Sequence, residues 1–302
     1  MKVWPVIARA LEAHGTCAMV SVVKAEGSVP REEGARMIVT PQGFHGTIGG
    51  GTLEWKALAQ AQTLLGKPRA VKLLRQSLGP DLGQCCGGRV TLAIESFDSS
   101  GLNGARDLAA REEKGPFTLS GRLAGTETVE NFGALPRRVL LFGAGHVGRA
   151  VMLALAPLPF AVDWADPRPE AFPAAVPGNA ILHHGDPLAV VAGASQGALA
   201  FIMSHSHALD LAIADAALRN RRIVHVGVIG SATKRSRFEK RLRQAGVEEA
   251  RIAGMICPIG IGGIRSKLPP AIAISVVAQI IALDEALSAT PSQGMLRGRN
   301  AG

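Results

Sequence analysis

The 302 residues include 33 Lys and Arg against 24 Asp and Glu, a net charge of +9, with 47% hydrophobic residues, 4% aromatics and no Tyr. Such a chain is neither disordered nor fibrous, its length suits two domains, and its core must rest on Ala, Val, Ile and Leu. The positive charge suits an anionic ligand or an acidic partner, but the basic residues are scattered and not interleaved with aromatics, which argues against a nucleic-acid binder.

Residues 2–14 place Val3, Ile7 and Leu11 on one helical face, with Gly15 as the stop. This stretch lacks the small-residue cleavage site of a signal peptide. A β-rich run follows at 17–25, then two strands around a Pro-Gln-Gly turn within 35–49. Residues 52–67 have helical periodicity, with Leu53, Ala57, Leu58, Ala61, Leu64 and Leu65 toward a core. Strands are expected at 70–78 and 90–97, with a glycine- and cysteine-containing loop between them. Residues 101–136 change character and read as a linker region closing a first domain at 1–100.

From Arg137 the pattern becomes strand, glycine loop, helix, strand. The strands are short apolar runs without alternation, as in a parallel sheet buried on both faces. A second domain is expected over 137–287, with a disordered polar tail at 288–302. The fold class is α/β: an N-terminal mixed α/β domain followed by a Rossmann-like, doubly wound parallel-sheet domain. The apolar run 271–283 reads as too short to span a bilayer and carries Ser275 and Gln279. A soluble, cytoplasmic protein is therefore expected, with no membrane and no nucleic-acid partner. In that compartment Cys17, Cys85, Cys86 and Cys257 stay reduced, and none of them has the C-x-x-C spacing of a structural zinc site.

Several loops are suited to chemistry. Gly143, Gly145 and Gly148 form G-x-G-x-x-G between a strand and a helix, with His146 inside the motif. Asp163 and Asp166 lie about 20 residues on, where a ribose-contacting acid is expected, and Arg168 is placed to contact a phosphate. Whether NAD(P) or another nucleotide binds there, or the nucleotide fold is vestigial, stays open. Gly49, Gly50 and Gly51 run into a helix and suit either an anion or a tight turn. Arg31 and Arg36 flank Glu32 and Glu33, for phosphate binding or for local ion pairs. Gln84, Cys85 and Cys86 sit among glycines, where the thiols suit a nucleophile, a metal ligand or a sulfur relay, and Arg89 favours a thiolate. The plainer reading of the pair, two buried small hydrophobes, is weakened by the flanking Gly-Gln and Gly-Gly-Arg, which indicate an exposed loop. His205 and His207 follow a strand and precede a helix, where doubly wound sheets bind ligands. His183 and His184 lack a third ligand and read as surface residues. Lys234, Arg237 and Arg241 are expected on one outer helix face, with Phe238 and Leu242 inward. No serine triad, H-E-x-x-H helix or acid–base pair is evident, so the pattern fits a carrier better than a catalyst.

Seven segments taken together resemble the XdhC-type xanthine dehydrogenase accessory proteins of the XdhC/CoxI family: "GSVPREEGARM", "GTIGGGTLEW", "GQCCGGRVTL", "LFGAGHVGRA", "SHSHALDLAI", "VGVIGSATKRSRF" and "CPIGIGGIRSKLPPAIAISVVAQI". The resemblance covers nearly the whole chain. It implies an accessory protein, not an enzyme, that binds molybdenum cofactor in its molybdopterin form. Such a protein shelters the cofactor during sulfuration and inserts it into apo-xanthine dehydrogenase. It further implies three partners: the dehydrogenase subunit that receives the cofactor, a cysteine desulfurase-type sulfurtransferase and a molybdenum cofactor supply protein. By the same analogy Cys85 and Cys86 are the candidate molybdenum ligands. A homodimer is expected as the commonest assembly. The alternatives are an NAD(P)-dependent oxidoreductase and a maturation factor for a CO dehydrogenase-type molybdenum hydroxylase.

Overall fold

The computed structural model describes residues 1–78, 87–121 and 128–289. Gln84, Cys85 and Cys86 lie outside the described residues. So does the tail beyond Ala289; Ser288 and Ala289, placed in that tail by the sequence, instead continue the last helix. The chain divides into two units, Met1–Leu135 and Pro136–Gly302.

The first unit is built on an antiparallel sheet of β1 (Thr16–Glu26), β2 (Arg36–Thr40), β3 (Gly43–Gly46), β4 (Val71–Ser77) and β5 (Arg89–Asp98), in the order β3-β2-β1-β5-β4. Helix α2 (Gly51–Gln62) places Leu53, Ala57 and Ala61 on one face of it, against Val20, Val22, Met37 and Leu92. The other face carries α1 (Trp4–His14), which packs Ile7 and Leu11 on Cys17, Met19 and Ile38. With both faces covered, central β1 is buried from Cys17 to Val22 and shows no alternation. Helix α1 stops at Gly15, whose φ of 68° is left-handed and lets its N–H reach Leu11 O.

The segment expected to be a linker is folded. Helix α3 (Leu102–Lys114) and the hairpin β6 (Phe117–Ser120) and β7 (Val129–Phe132) belong to the first unit. Helix α1 lacks a side-chain cap of its own. The buried Glu112 carboxylate of α3 supplies one, accepting from Val3 N at 2.9 Å and Trp4 N at 2.7 Å. Trp4 packs on Phe132 of β7 with ring centroids 5.4 Å apart. The polar surface of α3 makes this stretch look like a connector in sequence; one buried acid and a few apolar contacts tie it down.

The second unit has a five-stranded parallel sheet of β8 (Arg137–Phe142), β9 (Phe160–Ala165), β10 (Ala180–His183), β11 (Ala198–Ile202) and β12 (Ile223–Val228), ordered β10-β9-β8-β11-β12. One face is covered by α4 (His146–Leu155) and α9 (Pro269–Ala289), the other by α5 (Pro187–Ala192), α6 (His207–Arg219), α7 (Ala232–Gln244) and α8 (Glu249–Ala253). This is the doubly wound arrangement expected from the uninterrupted apolar strands. Helix α9 runs well past the apolar stretch read from sequence. Among the described residues, 269–288 is one helix long and apolar enough to cross a membrane. Its Ala273, Val276, Val277 and Ile280 are buried in the core. Two of its polar residues hold a loop: Ser275 Oγ accepts from Ile261 N at 2.9 Å, and Gln279 Oε1 from Gly260 N at 2.8 Å.

Candidate functional site

In the first unit, strand order and direction bring three loops to one end of the sheet. Glu26 pairs with Arg89, and Arg89 with Ser77, so the β1–β2 and β4–β5 connections leave side by side. The ends of the β4–β5 connection are pinned: Leu78 N donates to Gly88 O at 2.8 Å, and Gly88 N to Ser28 O at 3.1 Å. A Cβ on Gly88 would lie 2.4 Å from Ser28 O, so only glycine permits this approach. The third loop enters α2. A Cβ on Gly49 would lie 2.7 Å from the Pro30 ring and 3.5 Å from Arg31 Cγ. Arg31 and Gly49–Gly51 are thus brought together, beside the described ends of the loop that carries Gln84, Cys85 and Cys86.

Gly49, Gly50 and Gly51 have φ of 124°, 75° and 63°, and around them Ile48 N and Gly50 N turn toward one point while Gly49 N donates to Thr47 Oγ1 at 3.1 Å. The expected anion in this nest is supplied by the chain itself. Glu54 Oε2 accepts from Ile48 N at 3.0 Å and Gly50 N at 3.3 Å, and the Thr47 hydroxyl donates to the same oxygen. Sequence reading missed Glu54; its signal was an acid in the first helical turn behind a glycine run. The arginines of the β1–β2 loop are also engaged. Arg31 pairs with Glu32 at 3.0 Å. Arg36 pairs with Glu130 at 3.5 Å, not with a loop acid, and stacks on Phe132 at 4.0 Å. Glu33 accepts instead from Ala25 N.

In the second unit, β8 and β11 are neighbours at the point where the strand order reverses, the usual ligand crevice of this fold. The glycines have distinct duties there. A Cβ on Gly143 would meet Met203 O at 2.3 Å, and one on Gly148 would meet Gly143 O at 2.0 Å, whereas Gly145 faces open space. The 203–207 loop therefore abuts the glycine loop. Exposed His146 opens α4; exposed His205 and His207 flank Ser206, which caps α6 through Leu209 N.

Asp166 sits just beyond β9, fully buried, and both its oxygens are used. Oδ2 accepts from Ala144 N at 2.8 Å and Arg168 Nη2 at 2.9 Å; Oδ1 accepts from Arg168 N and Nε at 3.0 Å. Burial alone would raise its pKa, but the guanidinium and the two amides outweigh it and hold the carboxyl below the usual range. Asp166 thus braces the glycine loop and neutralises Arg168. Asp163 points elsewhere: it pairs with Arg138 at 3.0 Å and with His183 at 2.9 Å, so His183 is not the isolated surface residue expected.

Lys234 also departs from expectation. It is buried, and its Nζ lies 2.6 Å from Asp210 Oδ2 and 2.7 Å from Ile229 O, while Arg237 remains exposed and Phe238 and Leu242 turn inward. Asp210 Oδ1 accepts from Ser204 N, so this buried pair fixes the histidine loop to the start of α7. Periodicity could not show that a lysine belongs inside, because its partner is 24 residues away. Among the described residues, no group of three or more His, Cys, Asp or Glu side chains is arranged to hold a metal.

Comparison with known proteins agrees with this architecture. Residues 10–75 match the model of the XdhC and CoxI family, and residues 139–280 that of the XdhC Rossmann domain. The uncharacterized protein YqeB of Escherichia coli K12 is 29% identical over 290 residues, covering 93% of this chain and 46% of YqeB, so the chain spans less than half that relative's length. A crystal structure of a Bacillus halodurans protein described as a xanthine dehydrogenase matches with a TM-score of 0.78 and 20% identity, over 96% of this chain and 98% of the other. That likeness is one of fold. With both of its domains matched in order, the chain belongs to the XdhC and CoxI family.

Proposed function

We propose that the protein is an accessory factor of xanthine dehydrogenase maturation. It carries molybdenum cofactor in its molybdopterin form, shelters it during sulfuration by a cysteine desulfurase-type sulfurtransferase, and passes it to the apo-dehydrogenase. The observation that carries this reading is the meeting of the Arg31 loop, the Gly49–Gly51 loop and both ends of the cysteine loop at one edge of the first sheet. The cofactor is cargo, already held at molybdenum by two dithiolene sulfurs. A thiolate is a chemically compatible further ligand, and a single weak one favours release. Family membership supports the dehydrogenase as the recipient. A cofactor supply protein upstream and a homodimeric assembly complete the proposal.

The test is cofactor content. After co-expression with the cofactor biosynthetic enzymes, the wild type is expected to copurify with molybdenum and pterin and to activate apo-xanthine dehydrogenase. Cys85→Ala and Cys86→Ala proteins should lose at least tenfold in one or both measures. Normal stoichiometry and activation in both variants would sink the thiol assignment; no cofactor on the wild type would sink the carrier reading.

Nucleotide binding at the second unit is the competing reading. It is supported by the G-x-G-x-x-G loop at the sheet's reversal point. Against a ribose-reading role stands Asp166, whose oxygens already serve Arg168 and Ala144. Fluorescence titration with NADH, followed by a search for substrate-linked turnover, separates an oxidoreductase from a carrier.

A further inference from the structure

A phosphorylated cargo needs a counter-charge, and the obvious donors at this end of the first sheet are spent. Glu54 fills the glycine nest, Glu32 holds Arg31 and Glu130 holds Arg36. The opposite face of the same sheet end offers a cavity of about 450 Å³. Its floor is two cross-strand rows: Lys24, Thr91 and Arg75 in one, Glu26, Arg89 and Ser77 in the next. Residues opposite or two apart along an antiparallel ladder share a face, so Lys24, Arg75 and Arg89, though none is directly opposite another, line one cavity. Alternation places them away from α2, because Val90 and Leu92, their neighbours on β5, pack on the α2 side. Lys24 is paired with Glu26 at 3.0 Å. Arg75 and Arg89 form no salt bridge among the described residues, and both are exposed.

We propose that this basic sheet face binds the phosphate of a small phosphorylated ligand, with Arg75 and Arg89 as its principal contacts. Two exposed guanidiniums flanked by the Thr91 and Ser77 hydroxyls form a donor set for phosphate oxygens. Lys24 is held by Glu26, so that pair adds little net charge and Arg75 and Arg89 supply the excess. The site adjoins the roots of the cysteine loop, since Arg89 and Ser77 are the strand residues nearest its two ends. The inference rests on the carrier reading only for the ligand's identity: in that reading the phosphate is that of the pterin.

Calorimetric titration of the full chain with inorganic pyrophosphate tests the site. Arg75→Gln combined with Arg89→Gln is expected to weaken binding at least tenfold. Arg237→Gln combined with Arg241→Gln, an equal loss of charge on the exposed face of α7, should change it less than twofold. Thermal unfolding verifies that each protein is folded; should the first pair not fold, Lys24→Gln replaces it, with a smaller loss expected. Absence of binding to the wild type, or equal losses in the two pairs, overturns the site. The cofactor content of the same variants after co-expression is the second arm. A tenfold fall only in the cavity pair supports the pterin phosphate as ligand, and unchanged content overturns that assignment. If the wild type carries no cofactor yet binds pyrophosphate through Arg75 and Arg89, the site stands and the carrier reading falls.

Discussion

Single residues carry sharp signatures of their surroundings. His225, on β12, is buried beside Phe201 with ring centroids 5.3 Å apart, and its Nε2 has no hydrogen-bond partner among the described residues. Burial pushes its pKa down from 6.5 to about 4. The unfolded chain therefore takes up a proton near pH 6.5 that the folded chain refuses until about pH 4. This group's stabilising effect is complete above pH 6.5 and is lost as pH falls from there toward 4. Between pH 7 and 5 the loss amounts to about 2 kcal/mol. Urea unfolding at several pH values should show that decline in the wild type and a flatter profile in His225→Leu. Equal slopes would mean that the imidazole is solvated in the fold.

Elements are fixed here by partners distant in sequence. Helix α1 has the apolar periodicity, the early proline and the terminal glycine that make it legible, yet its first amides are capped by Glu112, more than a hundred residues away. Removing a buried acceptor leaves amide donors unsatisfied, at about 1–3 kcal/mol. Glu112→Ala should lower stability by that amount, with the midpoint of urea unfolding as the readout; Glu112→Gln, which keeps one acceptor oxygen, should cost less. A shift below about 0.5 kcal/mol for Glu112→Ala would mean that water replaces the cap. Strands were easier to foresee. β1, β4, β5 and β8–β12 fall where β-rich or continuous apolar runs placed them, because burial on one or both faces writes itself directly into composition. Helix α2 ends at Gln62, before the Lys67 that periodicity reached, since Leu64 and Leu65 pack from the following turn.

At the scale of the whole molecule, the chain divides after Leu135, and α3 with the β6–β7 hairpin completes the first unit. A fragment of residues 1–135 should unfold cooperatively on its own. Residues 1–100 alone lack Glu112, Ala105 and Phe132, leave Trp4 and Phe97 uncovered, and should show no cooperative transition by circular dichroism. A sharp transition for the shorter fragment would restore the boundary suggested by composition.

Local pattern was enough to determine the two-domain α/β plan, the glycine loop between β8 and α4, and the order of motifs that places the chain in its family, because burial and turn chemistry act over a few residues. The tertiary structure alone decided where charges go. Glu112 on the amides of α1, Asp166 on Ala144 N, Lys234 buried on Asp210 and the shared sheet face of Lys24, Arg75 and Arg89 all depend on which strand or loop lies alongside. A buried charge is tolerated only with a partner, and that partner is chosen by folding in space.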